Sequence, residues 1–205
     1  MNNKQLHQLA LRLRNKGVCT IAASEVSKQF LNSISNNGED WEIGTSRVRS
    51  KKIPDIALKS GMTENLERLL SVLTKKPYHL KSKDFELRQP SGKDAAEWHK
   101  DSALHTIVVL YTLKGAGTEY VSLPVGKKNL QVSPYHPNAY LPIEGKFSPK
   151  QIQYAPDGEF LIFLGMGMKT PELEKLIHRA PAEPGREIVL IRCSNSTQSV
   201  DGTLT

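Results

Sequence analysis

A histidine and an aspartate stand two residues apart in the segment Trp98-His99-Lys100-Asp101. Side chains alternate along a strand, so an extended backbone at this point places both on one side. A second imidazole, that of His178, follows much later in the chain. Two histidines and one carboxylate form the facial triad that holds non-haem Fe(II) and leaves coordination positions open. We therefore predict that His99, Asp101 and His178 are the metal ligands and the catalytic residues.

Two arginines near the end of the chain add a second candidate chemistry. Arg186 opens an apolar run that reaches Arg192. An arginine can bind a dicarboxylate co-substrate through its planar, bidentate fork. Residues an even number apart share a strand face, so both arginines could reach one pocket. Arg192 could equally be a surface residue at a strand end.

Helical patterns dominate the first third of the chain. Apolar residues recur at helical spacing over residues 4–16, and Gly17 is the expected C-terminal stop. Ser24 is a plausible cap for a second helix that runs to about Ile34, and a third helix follows Thr63 and stops before Pro77. We therefore predict residues 1–77 as a helical support that contains an irregular, basic loop.

From about residue 78 the pattern changes to short runs rich in Val, Ile, Leu and Tyr, separated by Gly and Pro. Such runs predict a sandwich or a barrel rather than a doubly wound sheet. The candidate strands are 84–88, 95–100, 104–112, 118–123, 129–132, 151–154, 159–164, 174–179 and 186–192. The Pro-rich stretch 133–150 is a candidate lid or an ordered decoration on the barrel.

From about residue 84 to residue 193 the chain resembles the 2-oxoglutarate/Fe(II)-dependent dioxygenase superfamily. The resemblance rests on the three predicted metal ligands, on the turn and strand from Asp157 to Phe163, and on Arg186. It implies an α+β, mainly β fold: a double-stranded β-helix, or jelly roll, over 78–205, supported by the N-terminal helices in one integrated domain.

The same resemblance implies the cofactors. Fe(II) would be bound by the triad, and 2-oxoglutarate, which reacts with O₂, would be bound by Arg186. Arg186 with Arg192 also looks like the double arginine of nucleic-acid demethylases in this superfamily. Tyr111 is a further candidate for binding the co-substrate, as are Thr118, Tyr120 and Arg88, although each could equally be an ordinary core or strand-edge residue. The expected enzyme hydroxylates or oxidatively demethylates a substrate that the sequence does not identify, and releases succinate and CO₂.

The net charge of the chain does not decide between the possible functions. The net charge of +7 favours an anionic substrate or nucleic acid, and equally fits a solvated basic surface. A nucleic-acid-binding jelly roll, and a cupin-like metal enzyme that does not use 2-oxoglutarate, are therefore the competing hypotheses. No apolar run approaches the length that spans a bilayer. The two cysteines predict reduced thiols in a cytoplasmic protein.

Overall fold

The computed structural model describes residues 1–36, 42–43, 49–52, 63–81, 84–89, 97–100, 107–121, 128–135, 139–164, 176–181 and 185–193. Asp101, the predicted carboxylate ligand, lies outside these ranges. Over the described part of the chain, no helix combines the length and the apolar character that crossing a membrane requires.

Three helices confirm the helical patterns of the first third. They are α1 (Asn3–Lys16), α2 (Glu25–Asn36) and α3 (Glu64–Thr74). Gly17 ends α1 in the left-handed conformation at φ 73°, as the sequence predicts. The hydroxyl of Ser24 accepts a hydrogen bond from the backbone N–H of Ser27 and so caps α2.

Thirteen strands are described. They are β1 (Val18–Ala22), β2 (Glu42–Ile43), β3 (Arg49–Lys52), β4 (Phe85–Gln89), β5 (Trp98–His99), β6 (Ile107–Lys114), β7 (Glu119–Val121), β8 (Leu130–Val132), β9 (Ala139–Pro142), β10 (Gln153–Tyr154), β11 (Glu159–Leu164), β12 (Ile177–Arg179) and β13 (Glu187–Cys193). A short 3₁₀ helix spans Pro149–Gln151.

The strands form two antiparallel sheets. The major sheet has the order β1-β11-β6-β13-β4-β3-β2, and the minor sheet has the order β10-β7-β12-β5-β9-β8. Consecutive strands from β4 to β7 alternate between the two sheets, as do β10 to β13, which is the winding of a double-stranded β-helix. The predicted fold class is therefore confirmed.

The two faces of the major sheet bury different sets of side chains. Alternate residues such as Val109, Phe160 and Val189 pack with the helices in one core cluster. The residues between them face the barrel interior, where they join residues on or next to strands of the minor sheet in a second cluster, whose members are Val108, Leu110, Tyr120, Ala155, Leu161, Phe163, Leu176, Ile188 and Leu190. Period-two alternation therefore decides which side chains reach the interior.

The first third departs from the prediction of a purely helical support. β1 forms one edge of the major sheet beside β11, and β3 pairs with β4 at the other side. The stretch 133–150 also contains β9, which pairs with β5 and β8 and extends the minor sheet. The described part of this stretch is therefore an ordered extension of the sheet. These strands are short or lie at edges, where few partners reveal them in the sequence.

Candidate active site

Three polar rings share the inner face of the minor sheet. His178 on β12 lies between Tyr120 on β7 and His99 on β5, and the three are direct cross-strand partners. Antiparallel pairing thus joins residues from distant parts of the sequence in one row. His178 and Tyr120 are buried, whereas His99 is half-buried, so the row runs from the interior of the barrel towards its surface.

The two histidines have the spacing that a shared metal ion requires. Their ring centroids are 4.4 Å apart and their planes are inclined by 57°. Two imidazoles at adjacent positions of an octahedral metal, with bonds of roughly 2.1 Å, place their ring centres about 4.5 Å apart. The separation of His99 and His178 therefore fits binding of one metal ion.

The tautomer of His99 also fits a metal ligand. Its Nδ1 lies 2.7 Å from the carbonyl oxygen of Glu97. A carbonyl oxygen can only accept, so Nδ1 carries the proton and donates, and the Nε2 lone pair is left for a ligand. Metal-binding histidines commonly have this second hydrogen bond.

Two histidines alone do not complete a metal site. Among the residues that the structure describes, no three His, Cys, Asp or Glu side chains come together as a ligand set. The predicted third ligand, Asp101, falls outside those residues, two positions after His99. The described imidazoles thus fit an Fe(II) site, and the carboxylate stays a prediction.

Arg186 is the most deeply buried charged side chain among the described residues, at 1% exposed. Its Nε donates to the carbonyl oxygen of Ala116 at 2.8 Å, and its Nη2 donates to the hydroxyl of Thr118 at 2.6 Å. These two bonds use two of the five guanidinium donors and fix the plane of the group. A fixed, buried guanidinium is suited to bind a carboxylate in a bidentate manner.

Glycines on either side of Ala116 allow the backbone of this turn to approach Arg186. Gly115 has a φ of +82°, and a Cβ at this position would lie 3.3 Å from the Cα of Arg186. A Cβ at Gly117 would lie 2.2 Å from the carbonyl oxygen of Ala155. The turn Gly115-Ala116-Gly117 therefore brings its backbone close to Arg186 in a way that larger residues would prevent.

A side chain on the outer face of the minor sheet connects β12, which carries His178, to its two neighbouring strands. Arg179, next to His178, forms an ion pair with the buried Glu119 of β7. The same guanidinium lies 4.5 Å from the ring centre of Trp98, next to His99. Arg179 thus contacts both strands that flank β12, from the face opposite to the imidazoles.

Arg192 faces the same interior as the imidazoles but lies at the far end of β13 from Arg186. Its cross-strand partner is Val108, a member of the interior cluster, and its Nη1 donates to Oε2 of Glu86 at 2.9 Å. Six residues of strand separate the two arginines by about 20 Å. The structure therefore gives them different surroundings rather than one pocket.

Tyr111 is not brought to the site. It belongs to the core cluster on the helical face of the major sheet, with its ring 5.0 Å from that of Phe160. Burial raises the pKa of its phenol. The prediction that Tyr111 binds the co-substrate is corrected for this reason: strand alternation directs it away from the interior.

The other candidates do face the interior. Thr118 contacts Arg186, and Tyr120 lies beside His178. Burial raises the pKa of the Tyr120 phenol, so it stays protonated near neutral pH. Sequence reasoning missed Glu86 and Glu119. The alternation Phe85-Glu86-Leu87-Arg88 was the available signal, because it directs Glu86 and Arg88 to one face.

Comparisons with known proteins agree with this architecture. No family model matches the chain, and no curated protein matches it. EvdO2 from Micromonospora carbonacea var. aurantiaca superimposes with a TM-score of 0.53 at 9% identity, covering 92% of this chain and 91% of that one. A prolyl 4-hydroxylase from Phytophthora capsici superimposes with a TM-score of 0.51 at 15% identity, covering 95% of this chain and 66% of that one. The epimerase SnoN, solved with Fe3+, alpha ketoglutarate and nogalamycin RO, has a TM-score of 0.49 at 12% identity, covering 94% of this chain and 85% of that one. At these identities the likeness to the first two structures establishes the fold.

Proposed function

We propose that this protein is an Fe(II)- and 2-oxoglutarate-dependent oxygenase. The observation that carries the proposal is the pairing of His99 with His178 on the inner face of the barrel, at the spacing of two ligands of one metal. The two sheets wind as in the superfamily that the sequence resembles. In that winding Arg186 precedes β13, the strand that follows β12, which carries His178.

His99, Asp101 and His178 would hold the metal. The Glu97 carbonyl holds His99 in the tautomer that presents Nε2, and the ion pair of Arg179 with Glu119 fixes the strand that carries His178. Bound Fe(II) supplies activation of O₂, coupled to decarboxylation of 2-oxoglutarate to succinate and CO₂. Hydroxylation, or hydroxylation that leads to demethylation, is the expected outcome for the substrate.

Arg186 would bind the distal carboxylate of 2-oxoglutarate. Its guanidinium is already oriented by Ala116 and Thr118, so little side-chain entropy is lost when the co-substrate binds. The phenol of Tyr120, protonated near neutral pH, is available as a hydrogen-bond donor beside the imidazoles. Burial of both groups keeps water from the reacting centre.

The primary substrate and location remain predictions of the sequence. The net charge of +7 favours an anionic substrate. Cys19 and Cys193 are buried free thiols, which supports a reducing compartment such as the cytoplasm.

Anaerobic titration of the metal-free protein tests the proposal. Fe(II) followed by 2-oxoglutarate should produce a weak visible charge-transfer band that requires both. His178→Ala should abolish the band, because one imidazole ligand is lost. The exposed His7, on α1, offers a matched control, since His7→Ala should leave the band intact.

Two results would contradict the proposal in different ways. Iron binding without a 2-oxoglutarate band, in a folded protein, would favour a cupin-like metal enzyme in which Arg186 is dispensable. If His99→Ala and His178→Ala bound iron as tightly as the unaltered protein, the metal assignment itself would be wrong, and nucleic-acid binding would be the next function to assay.

A further inference from the structure

Charged side chains gather on one part of the otherwise apolar interior face of the major sheet. Glu86 and Arg88 on β4 and Arg192 on β13 have cross-strand partners in the interior cluster: Leu190, Ile188 and Val108, respectively. We call these three charged residues the arginine clamp. None of them is required by the metal chemistry described above.

The carboxylate of Glu86 contacts both arginines. Its Oε2 accepts from Nη1 of Arg192 at 2.9 Å, and its Oε1 lies 2.9 Å from Nε of Arg88. The N–H of Arg88 does not point along that line, and this buried Nε has no hydrogen-bond partner within the described ranges. By themselves, the two guanidinium groups and the one carboxylate of the clamp sum to a charge of +1, which favours binding of an anion.

The arginine clamp is close enough to the candidate metal site for one small molecule to reach both. Phe163 touches His178, with ring centroids 4.7 Å apart, and Phe163, Val108 and Arg192 follow one another across β11, β6 and β13. Adjacent strands are about 4.8 Å apart, so the backbone of Arg192 lies about 10 Å from that of Phe163. A small molecule anchored at the clamp could place a carbon several bonds away beside the imidazoles.

A buried hydroxyl extends the polar surface. Thr112 is the cross-strand partner of Ile188 on β6, and Arg88 is the partner of the same residue on β4. The Oγ1 of Thr112 is buried and has no hydrogen-bond partner in the part of the chain that the structure describes. Leaving such a group unsatisfied costs stability, and buried polar groups of this kind are satisfied by protein groups, by ordered water or by a bound ion.

We propose that the arginine clamp is a subsite for the primary substrate, which is a small molecule with a carboxylate or phosphate group. This rests on the proposed oxygenase function and specifies its substrate class. The anion binds to the guanidinium groups of Arg88 and Arg192 beside Glu86, whose carboxylate lies between the two arginines, orients both and limits their charge. Arg88 is the cross-strand partner of Ile188, two residues after Arg186, whereas Arg192 lies at the far end of β13. An anion bound on the Arg192 side of the clamp is therefore separated from the distal carboxylate of 2-oxoglutarate.

Calorimetric titration tests the subsite directly. The probes are hippurate and phenyl phosphate, with hippurate methyl ester and phenol as their neutral counterparts. Titrations use the protein without metal and the protein loaded with Fe(II) and 2-oxoglutarate under argon. One of the two acids should bind, and its neutral counterpart should not. The preferred acid identifies the carboxylate or the phosphate as the recognised group.

Variants locate the binding. Arg88→Gln and Arg192→Gln should each weaken the acid about tenfold or more, since each removes a charge-assisted hydrogen bond. Glu86→Gln should strengthen binding, because it raises the clamp charge to +2. Lys4→Gln, which removes one exposed positive charge from α1, should have no effect. If the arginine clamp were only a structural ion-pair network, Glu86→Gln would not increase the affinity for the acid.

Several outcomes would overturn the subsite. They are equal binding of the acids and their neutral counterparts, unchanged binding in folded Arg88→Gln and Arg192→Gln, competitive displacement of the acid by 2-oxoglutarate, and preferential binding of a single-stranded oligonucleotide. Failure of the oxygenase proposal is separate, because it shows as a missing charge-transfer band. The metal-free titrations still decide whether the clamp binds an oxyanion.

Discussion

The Nη2 of Arg186 donates to the hydroxyl of Thr118 over 2.6 Å, although 68 residues separate the two in sequence. This bond joins the segment that leads into β13 to the segment that leads into β7. The predicted anchor for 2-oxoglutarate is therefore held by the same turn that connects the two sheets after β6. Function and local stability should respond together when this contact is altered.

Replacing Arg186 tests that connection. Arg186→Gln should weaken 2-oxoglutarate binding by at least about thirtyfold, because one member of a buried charge pair is lost. Titration of the Fe(II) protein with 2-oxoglutarate, followed through the charge-transfer band, measures the change. Lys4→Gln, on the exposed face of α1, is the control and should bind normally. Unchanged affinity in Arg186→Gln would remove this residue from the co-substrate site.

A methyl group at Gly117 should disturb the turn Gly115-Ala116-Gly117, which holds Arg186. Gly117→Ala places a Cβ 2.2 Å from the carbonyl oxygen of Ala155, which is backbone and cannot rotate away. We expect a loss of about 2 kcal/mol or more in the free energy of unfolding, and weaker 2-oxoglutarate binding. Gly145→Ala is the control, since nothing lies within 4 Å of its Cβ and only its φ of +70° opposes the change. Urea denaturation should show the smaller loss for Gly145→Ala, and the opposite order would contradict the described contact.

The ion pair on the outer face of the minor sheet should matter for both stability and metal binding. Glu119→Ala leaves Arg179 without its carboxylate at a mostly buried position, so we expect a loss of about 3 kcal/mol. Fe(II) affinity should also fall, because Arg179 is adjacent to His178. Glu25→Ala removes the carboxylate of an exposed pair with Lys28 and should leave both properties nearly unchanged. Equal effects of the two substitutions would show that the Glu119 pair has no special role.

Alkaline conditions should destabilise the protein through its two thiols. Burial raises the pKa of Cys19 and of Cys193 from 9.0 to about 12. Between pH 9 and 12 the unfolded state loses these protons and the folded state keeps them, so stability falls as pH rises. In this window each thiol lowers the free energy of unfolding by about 1.4 kcal/mol per pH unit, and below pH 9 it has no such effect. Denaturation of the Cys19→Ala/Cys193→Ala protein should show a shallower fall, and an identical pH profile would contradict the assignment.

The sequence was most informative where the chain repeats a strong local signal. The unbroken apolar run of β6 and the turn that precedes β11 were predicted within a few residues, because buried strands leave a clear pattern. The edge strand β1 and the short β9 were not, since their partners are more than a hundred residues away or contribute only a few pairs. Tyr111 was assigned to the site because its residue type suits hydrogen bonding, while its face follows from strand register.

The order of strands in the major sheet has a consequence for biosynthesis. β1 pairs with β11, about 140 residues further along, and β4 pairs with β13. A nascent chain therefore cannot complete this sheet until its last third has left the ribosome. Such distant pairings slow folding, because loops must close before their contacts stabilise them. Until then the apolar edge of β1 is exposed, and a chaperone that shields extended segments should raise the yield of folded protein.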